Sequence, residues 1–142
     1  MTSDPVADER RLRGLRNAYE LAGKETSDAF IAGLADTCPP LADFITDFVF
    51  GDLHGRAELG SRDRELLTLA ILAALGGCER EIELHLEIAL RIGIEPVTVI
   101  ETLLHVSAYA GFPRALNAIM VARRVLERRG LLPVGVIEPP EA

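Results

Sequence analysis

Apolar positions recur at three- and four-residue spacing along most of the chain, and the recurrences are punctuated by glycine and proline. That is the period of amphipathic helices, and no convincing strand alternation interrupts it. Leu12, Leu15, Ala18 with Tyr19, and Ala22 predict a helix from near Glu9 to Gly23. Phe30, Ile31 and Leu34 mark a short helix within residues 24–38. Pro39-Pro40 opens another, whose stripe of Leu41, Phe44, Ile45, Phe48 and Val49 ends at Gly51. The run from Gly51 to Gly60 contains three glycines in ten residues and reads as a loop.

The stretch that follows organises the rest. Ser61 is a natural N-cap, Asp63 and Glu65 place negative charge at the positive end of the helix dipole, and Gly76-Gly77 supplies a left-handed stop. A helix from about Arg62 to Leu75 results. From Leu66 to Leu75 every residue but Thr68 is apolar, so the pattern predicts burial on every side. Glu79 to Ile92 forms the next helix, with Glu83, Glu87 and Arg91 on a polar stripe. His85 falls on the opposite face with Ile82, Leu86 and Ala89, and is expected to point inward. Pro96 starts a helix to Ala110 with Ile100, Leu103, Leu104 and Ala108 expected inside. The Gly111-Phe112-Pro113 break restarts a helix to about Arg129.

The pattern is thus all-α, and 142 residues bound it to a single domain, 1–142, with arm-like or disordered ends at about 1–8 and 131–142. Hydrophobic residues make up 49% but aromatics only 5%, which suits helices packed through Leu, Ile, Val and Ala. A net charge of −7 argues against nucleic acid and anionic membrane surfaces as partners. No apolar run reaches the roughly 20 residues of a spanning helix, and the N-terminus has no apolar signal core, so a cytoplasmic protein is expected. Cys38 and Cys78 form neither a CxxC pair nor a disulfide framework and read as reduced thiols. The three histidines occur singly, with no HxxxH or HExxH pattern and no phosphate-cradling glycine motif, so neither a metal nor another cofactor is expected.

Four groups of residues carry candidate chemistry. Glu65 and His85, on helices joined by a tight Gly-Gly turn, form either a carboxylate–imidazole pair suited to acid–base work or a helix-cap Glu and a core His. Glu101, His105 and Tyr109 share one helix face as a second site or as a solvated stripe. Arg56, Arg62 and Arg64 cluster before and within the first turn of the central helix, where they would hold a substrate carboxylate or make surface ion pairs. Cys78, at a helix start, is a reactive or a packing thiol.

The runs SRDRELLTLAILAALGG, EIELHLEIALRIGI and VIETLLHVSAYAGFPRALNAIMVARRVL resemble the carboxymuconolactone decarboxylase family, which also contains the alkylhydroperoxidase D proteins. The likeness extends from about Phe48 to Glu127 and includes FGDLHGRAEL at residues 50–59. It implies an alkylhydroperoxidase D-like helical bundle that assembles into homo-oligomers, dimeric, trimeric or hexameric. It further implies a cofactor-independent lyase that removes carbon dioxide from a small carboxylated lactone in aromatic-acid degradation. Glu65 matches the family's acidic residue, His85 its histidine, and His105 a histidine found in many decarboxylase-like members. These three become the implied catalytic residues, with Arg56, His54, Tyr109 and Cys78 as implied substrate contacts. Cys78 matches the first cysteine of the peroxidase-type CxxC, but Glu81 stands in place of the second. That departure disfavours a thiol-dependent antioxidant role. His54-Gly55 and Ala57-Glu58 also depart from the family pattern, so the substrate itself is open, and a related lactone or enolisable acid, or ligand binding without catalysis, are the alternatives.

Overall fold

A computed structural model describes residues 4–135 of the chain. The described residues are helical, with no strand among them: α1 (Pro5–Ala22), α2 (Lys24–Leu34), α3 (Pro39–Phe44) continuing into a π-helical segment (Ile45–Leu53), α4 (Ser61–Leu75), α5 (Glu79–Arg91), α6 (Pro96–Ala110) and α7 (Phe112–Arg128). They form two compact units, Met1–Ser61 and Arg62–Ala142. The expected loose N-terminal end needs correction from Pro5 onward. Helix α1 begins at Pro5, because the Asp4 side chain accepts a hydrogen bond from the Val6 amide at 3.0 Å and Pro5 occupies the first turn. Residues 1–3 and 136–142 lie outside the described residues.

In the first unit α1 packs against the π-helical segment and α2. The expected stop at Gly51 does not occur, and the helix runs on to Leu53. A π-helix bonds five residues apart, as the His54 amide does to the Val49 carbonyl at 2.9 Å. Side chains of α1 hold other carbonyls of this segment: Asn17 Nδ2 donates to Phe50 O at 2.7 Å and Arg13 Nε to Gly51 O at 2.9 Å. Arg10 and Arg13 pair with Asp52, and Arg11 with Asp43 and Asp47. The hydrogen bond from Arg10 holds the Asp52 carboxyl below the usual carboxylate range. These side chains reach because the two backbones nearly touch. Gly14 is buried, and a Cβ there would overlap the Thr46 carbonyl oxygen.

The second unit is built on one apolar core. Leu69 and Ala73 of α4, Ile82, Leu86 and Ala89 of α5, Val99, Leu103 and Val106 of α6, and Ala118, Val121, Ala122 and Val125 of α7 are all buried in it. Burial of each large side chain contributes roughly 1.5–3 kcal/mol. The α5 polar stripe is as expected: Glu83 pairs with Arg128 at 2.6 Å, and Glu87 with Arg128 and Arg129 near the end of α7. Gly76 and Gly77 adopt φ of 73° and 71°, the left-handed region that favours glycine. The Arg114 guanidinium donates to the Leu75 carbonyl beside this turn.

Two expectations about helix faces are corrected. Helix α4 is not buried on all sides, since Leu67, Ile71 and Leu75 are 51, 57 and 62% exposed. On α6 the buried face carries Val99, Leu103 and Val106, while Leu104 and Ala108 are exposed. Each helix carries apolar residues on its exposed face as well as on its buried one, so periodicity by itself does not choose the one that meets the core.

Replacing Gly14 by Ala is expected to force α1 away from Thr46 and lower stability by about 1–3 kcal/mol, the usual cost of overpacking. A urea melt with an unchanged midpoint would contradict the close approach.

Candidate active site

Glu65 lies one turn into α4, on the face that also carries Leu69 and Ala73. Its side chain is 1% exposed. A solvated cap is therefore ruled out, and burying a carboxylate without a partner would be strongly unfavourable. The partner is His85. On α5, the inward face of Ile82, Leu86 and Ala89 carries the imidazole with it, and Nδ1 stands 2.6 Å from Glu65 Oε1. The pair joins residues twenty apart in sequence, one on each side of the Gly76-Gly77 turn.

The two side chains differ in access to water. Glu65 is sealed, whereas the His85 side chain is 22% exposed. Nε2 has no hydrogen-bond partner among the described residues and is not a buried atom. The imidazole is thus gripped at Nδ1 and open at Nε2. An ionised carboxylate only accepts hydrogen bonds, so with Glu65 ionised the Nδ1 proton points to it. Nε2 is then the ring nitrogen left facing outward, while Glu65 holds the orientation of the ring.

The other candidate residues fall in different settings. Cys78 is half-buried at the start of α5, with Sγ 3.5 Å from the Gly76 carbonyl oxygen. Glu81, at the position of a missing second cysteine, is exposed. His105 and Tyr109 are exposed on α6, their ring centroids 5.2 Å apart, and Glu101 is exposed on the same helix. In the first unit His54 is half-buried and stacks on Phe50 at 5.6 Å between centroids. Arg56 is exposed, 3.6 Å from Glu58, and Arg62 is 3.6 Å from Asp63. Among the described residues no three His, Cys, Asp or Glu side chains are grouped so as to hold a metal ion, and no helix is long and apolar enough to cross a membrane. Arg114, which donates to the last carbonyl of α4, is a residue that the sequence reading misses. A cation just after the Gly111 break is its only signal there.

The chain is 32% identical over 127 residues to a 4-carboxymuconolactone decarboxylase of Acinetobacter baylyi, covering 89% of this chain and 94% of that one. It is 27% identical over 130 residues to a nitrosuccinic acid decarboxylase of Metarhizium robertsii, covering 89 and 90% of the two chains. A sequence model of the carboxymuconolactone decarboxylase family matches residues 39–124, a span that includes both Glu65 and His85. The chain belongs to the carboxymuconolactone decarboxylase family.

Proposed function

We propose that the protein is a carboxy-lyase that needs no cofactor and acts on a small carboxylic acid carrying its own electron sink. The observation that carries this reading is the buried Glu65 bonded at 2.6 Å to an imidazole whose other nitrogen is open. The two relatives give the chemistry a common form. In 4-carboxymuconolactone the electrons left by carbon dioxide are delocalised through the ring onto the lactone oxygen. In nitrosuccinic acid they pass to the nitro group. Either way an oxyanion develops and a carbon must then be protonated, which calls for a positioned donor.

In this reading the His85 imidazolium donates from Nε2 to the developing oxyanion and then delivers the proton to carbon. Glu65 orients the ring and supports its positive form. His105 and Tyr109 have the accessory roles that the resemblance implies. Arg56 and His54 are assigned to substrate binding on sequence grounds alone, and Cys78 lines the site as a thiol that takes no part in a local disulfide cycle. A carboxylated lactone is the first substrate class. The nitrosuccinic acid relative, at similar coverage, supports a second reading in which the same pair serves a different activated acid.

The protein is also proposed to be a homo-oligomer. Leu67, Ile71 and Leu75 run down α4 at four-residue spacing, and Phe112, Leu116 and Met120 run down α7 in the same way, all of them exposed. Exposed apolar rows of this length mark association surfaces.

Both readings are open to direct tests. With 4-carboxymuconolactone or nitrosuccinate as substrate, His85→Gln is expected to keep the helical spectrum while cutting kcat by roughly 10²–10⁴. Glu65→Gln should do less and mainly displace the pH profile. If His85 serves the core alone, the substitution will lower the melting temperature and leave kcat of the folded protein near normal. If neither acid is turned over but either binds, the fold serves as a ligand carrier instead. Sedimentation at micromolar concentration is expected to show no 15.4 kDa species. A monomer with a full helical spectrum would remove the oligomer from the account.

A further inference from the structure

We propose that the Glu65–His85 pair has a second activity, the reversible exchange of a carbon-bound proton with water in acids and lactones that have no carboxylate on the acidic carbon. The class of substrate is a carbon acid whose conjugate base places its charge on a nitro or lactone oxygen. The inference rests on the carboxy-lyase reading only for the choice of that carbon. The proton chemistry comes from the pair itself.

The contrast in access between the two halves of the pair is the basis. Glu65 is 1% exposed and closes the Nδ1 edge, so a proton held there is shielded. Nε2 has no protein partner among the described residues and is reached by solvent. A proton delivered to carbon from Nε2 is therefore one that equilibrates with water between turnovers. Microscopic reversibility then requires that neutral His85 can remove the same proton. The steps balance without any oxidant or co-reactant. The Nε2 lone pair takes the proton, the carbon–hydrogen electron pair moves into the sink oxygen, and the imidazolium exchanges its proton with water. It then returns a proton to the same carbon as the electron pair comes back.

Geometry adds a second expectation. Burial of Ile82, Leu86 and Ala89 beside His85, together with the Nδ1 contact, holds the ring in one orientation, so that a substrate would meet it from the Nε2 edge alone. A single base on one side removes only one of two hydrogens at a methylene carbon. Stereospecific exchange separates this site from general catalysis by surface groups, which would wash out both hydrogens.

The test is proton NMR in deuterium oxide with 3-nitropropanoate, which is nitrosuccinate less carbon dioxide, and with the enol-lactone left when 4-carboxymuconolactone loses its carboxylate. Each is used at a concentration shown to inhibit turnover of, or to bind in place of, the parent acid. The full-length protein is expected to exchange one hydrogen at the acidic carbon faster than the same buffer containing an equal concentration of free imidazole. His85→Gln, and His85→Asn as a second variant should the first unfold, are expected to lower that rate by roughly 10²–10⁴. Exchange lost in these variants, without decarboxylation of either parent acid, would uphold the proton-transfer activity and remove the carboxy-lyase reading. Decarboxylation whose bound product stays undeuterated would overturn the exchange activity and keep the carboxy-lyase. Equal exchange of both hydrogens, indifferent to His85, would also overturn it. If neither reaction occurs, both readings fall.

Discussion

Burial of the Glu65 carboxylate is the constraint on which the candidate site depends. A charge taken from water must be matched, and the structure matches it with one short contact to His85. That contact joins α4 to α5 and holds the imidazole at Nδ1. It also leaves Nε2 as the open edge of the pair. On the reading proposed above, this one contact is what makes a lone histidine a positioned acid and base. Replacing the pair by apolar residues of similar volume would be expected to cost little stability, as often happens with buried ionic groups.

The two units solve the packing problem differently. In the second, Leu, Ile, Val and Ala from four helices make one core. In the first, Gly14 lets α1 approach the π-helical segment so closely that arginine and asparagine side chains take up its carbonyls, and paired charges surround the contact. Those ion pairs are partly exposed to solvent, and each contributes little by itself. Their geometric role is to hold an unusual helix in register up to His54 and Arg56.

Much of this is legible in the sequence, and the misses have physical causes. The direction of His85 can be read because α5 has a strong contrast between its polar stripe of Glu83 and Glu87 and its apolar face. The phase of α6 cannot, because Leu104 and Ala108 are as apolar as Val99 and Val106. The same ambiguity makes α4 look central on all sides. The early start of α1 is written in Asp4-Pro5, a capping signal that the polar composition of the terminus conceals. The run past Gly51 is not legible, since it depends on Asn17 and Arg13 reaching carbonyls more than thirty residues away. Glu65 stands out in the sequence only as an ambiguous charge at a helix entrance, and its burial is a property of the packed unit.

A sealed carboxylate that holds Nδ1 of His85 and leaves Nε2 to exchange with water is the feature on which the chemistry turns. Nitrogen-15 NMR of the histidine-labelled protein, recorded across pH with the Glu65→Gln variant alongside, tests it most directly. The account predicts an Nδ1-bound proton on His85 that exchanges with solvent far more slowly than a proton at Nε2, and loss of that protection in the Glu65→Gln variant. A His85 ring whose two nitrogens exchange alike, unchanged when Glu65 is replaced, would contradict it.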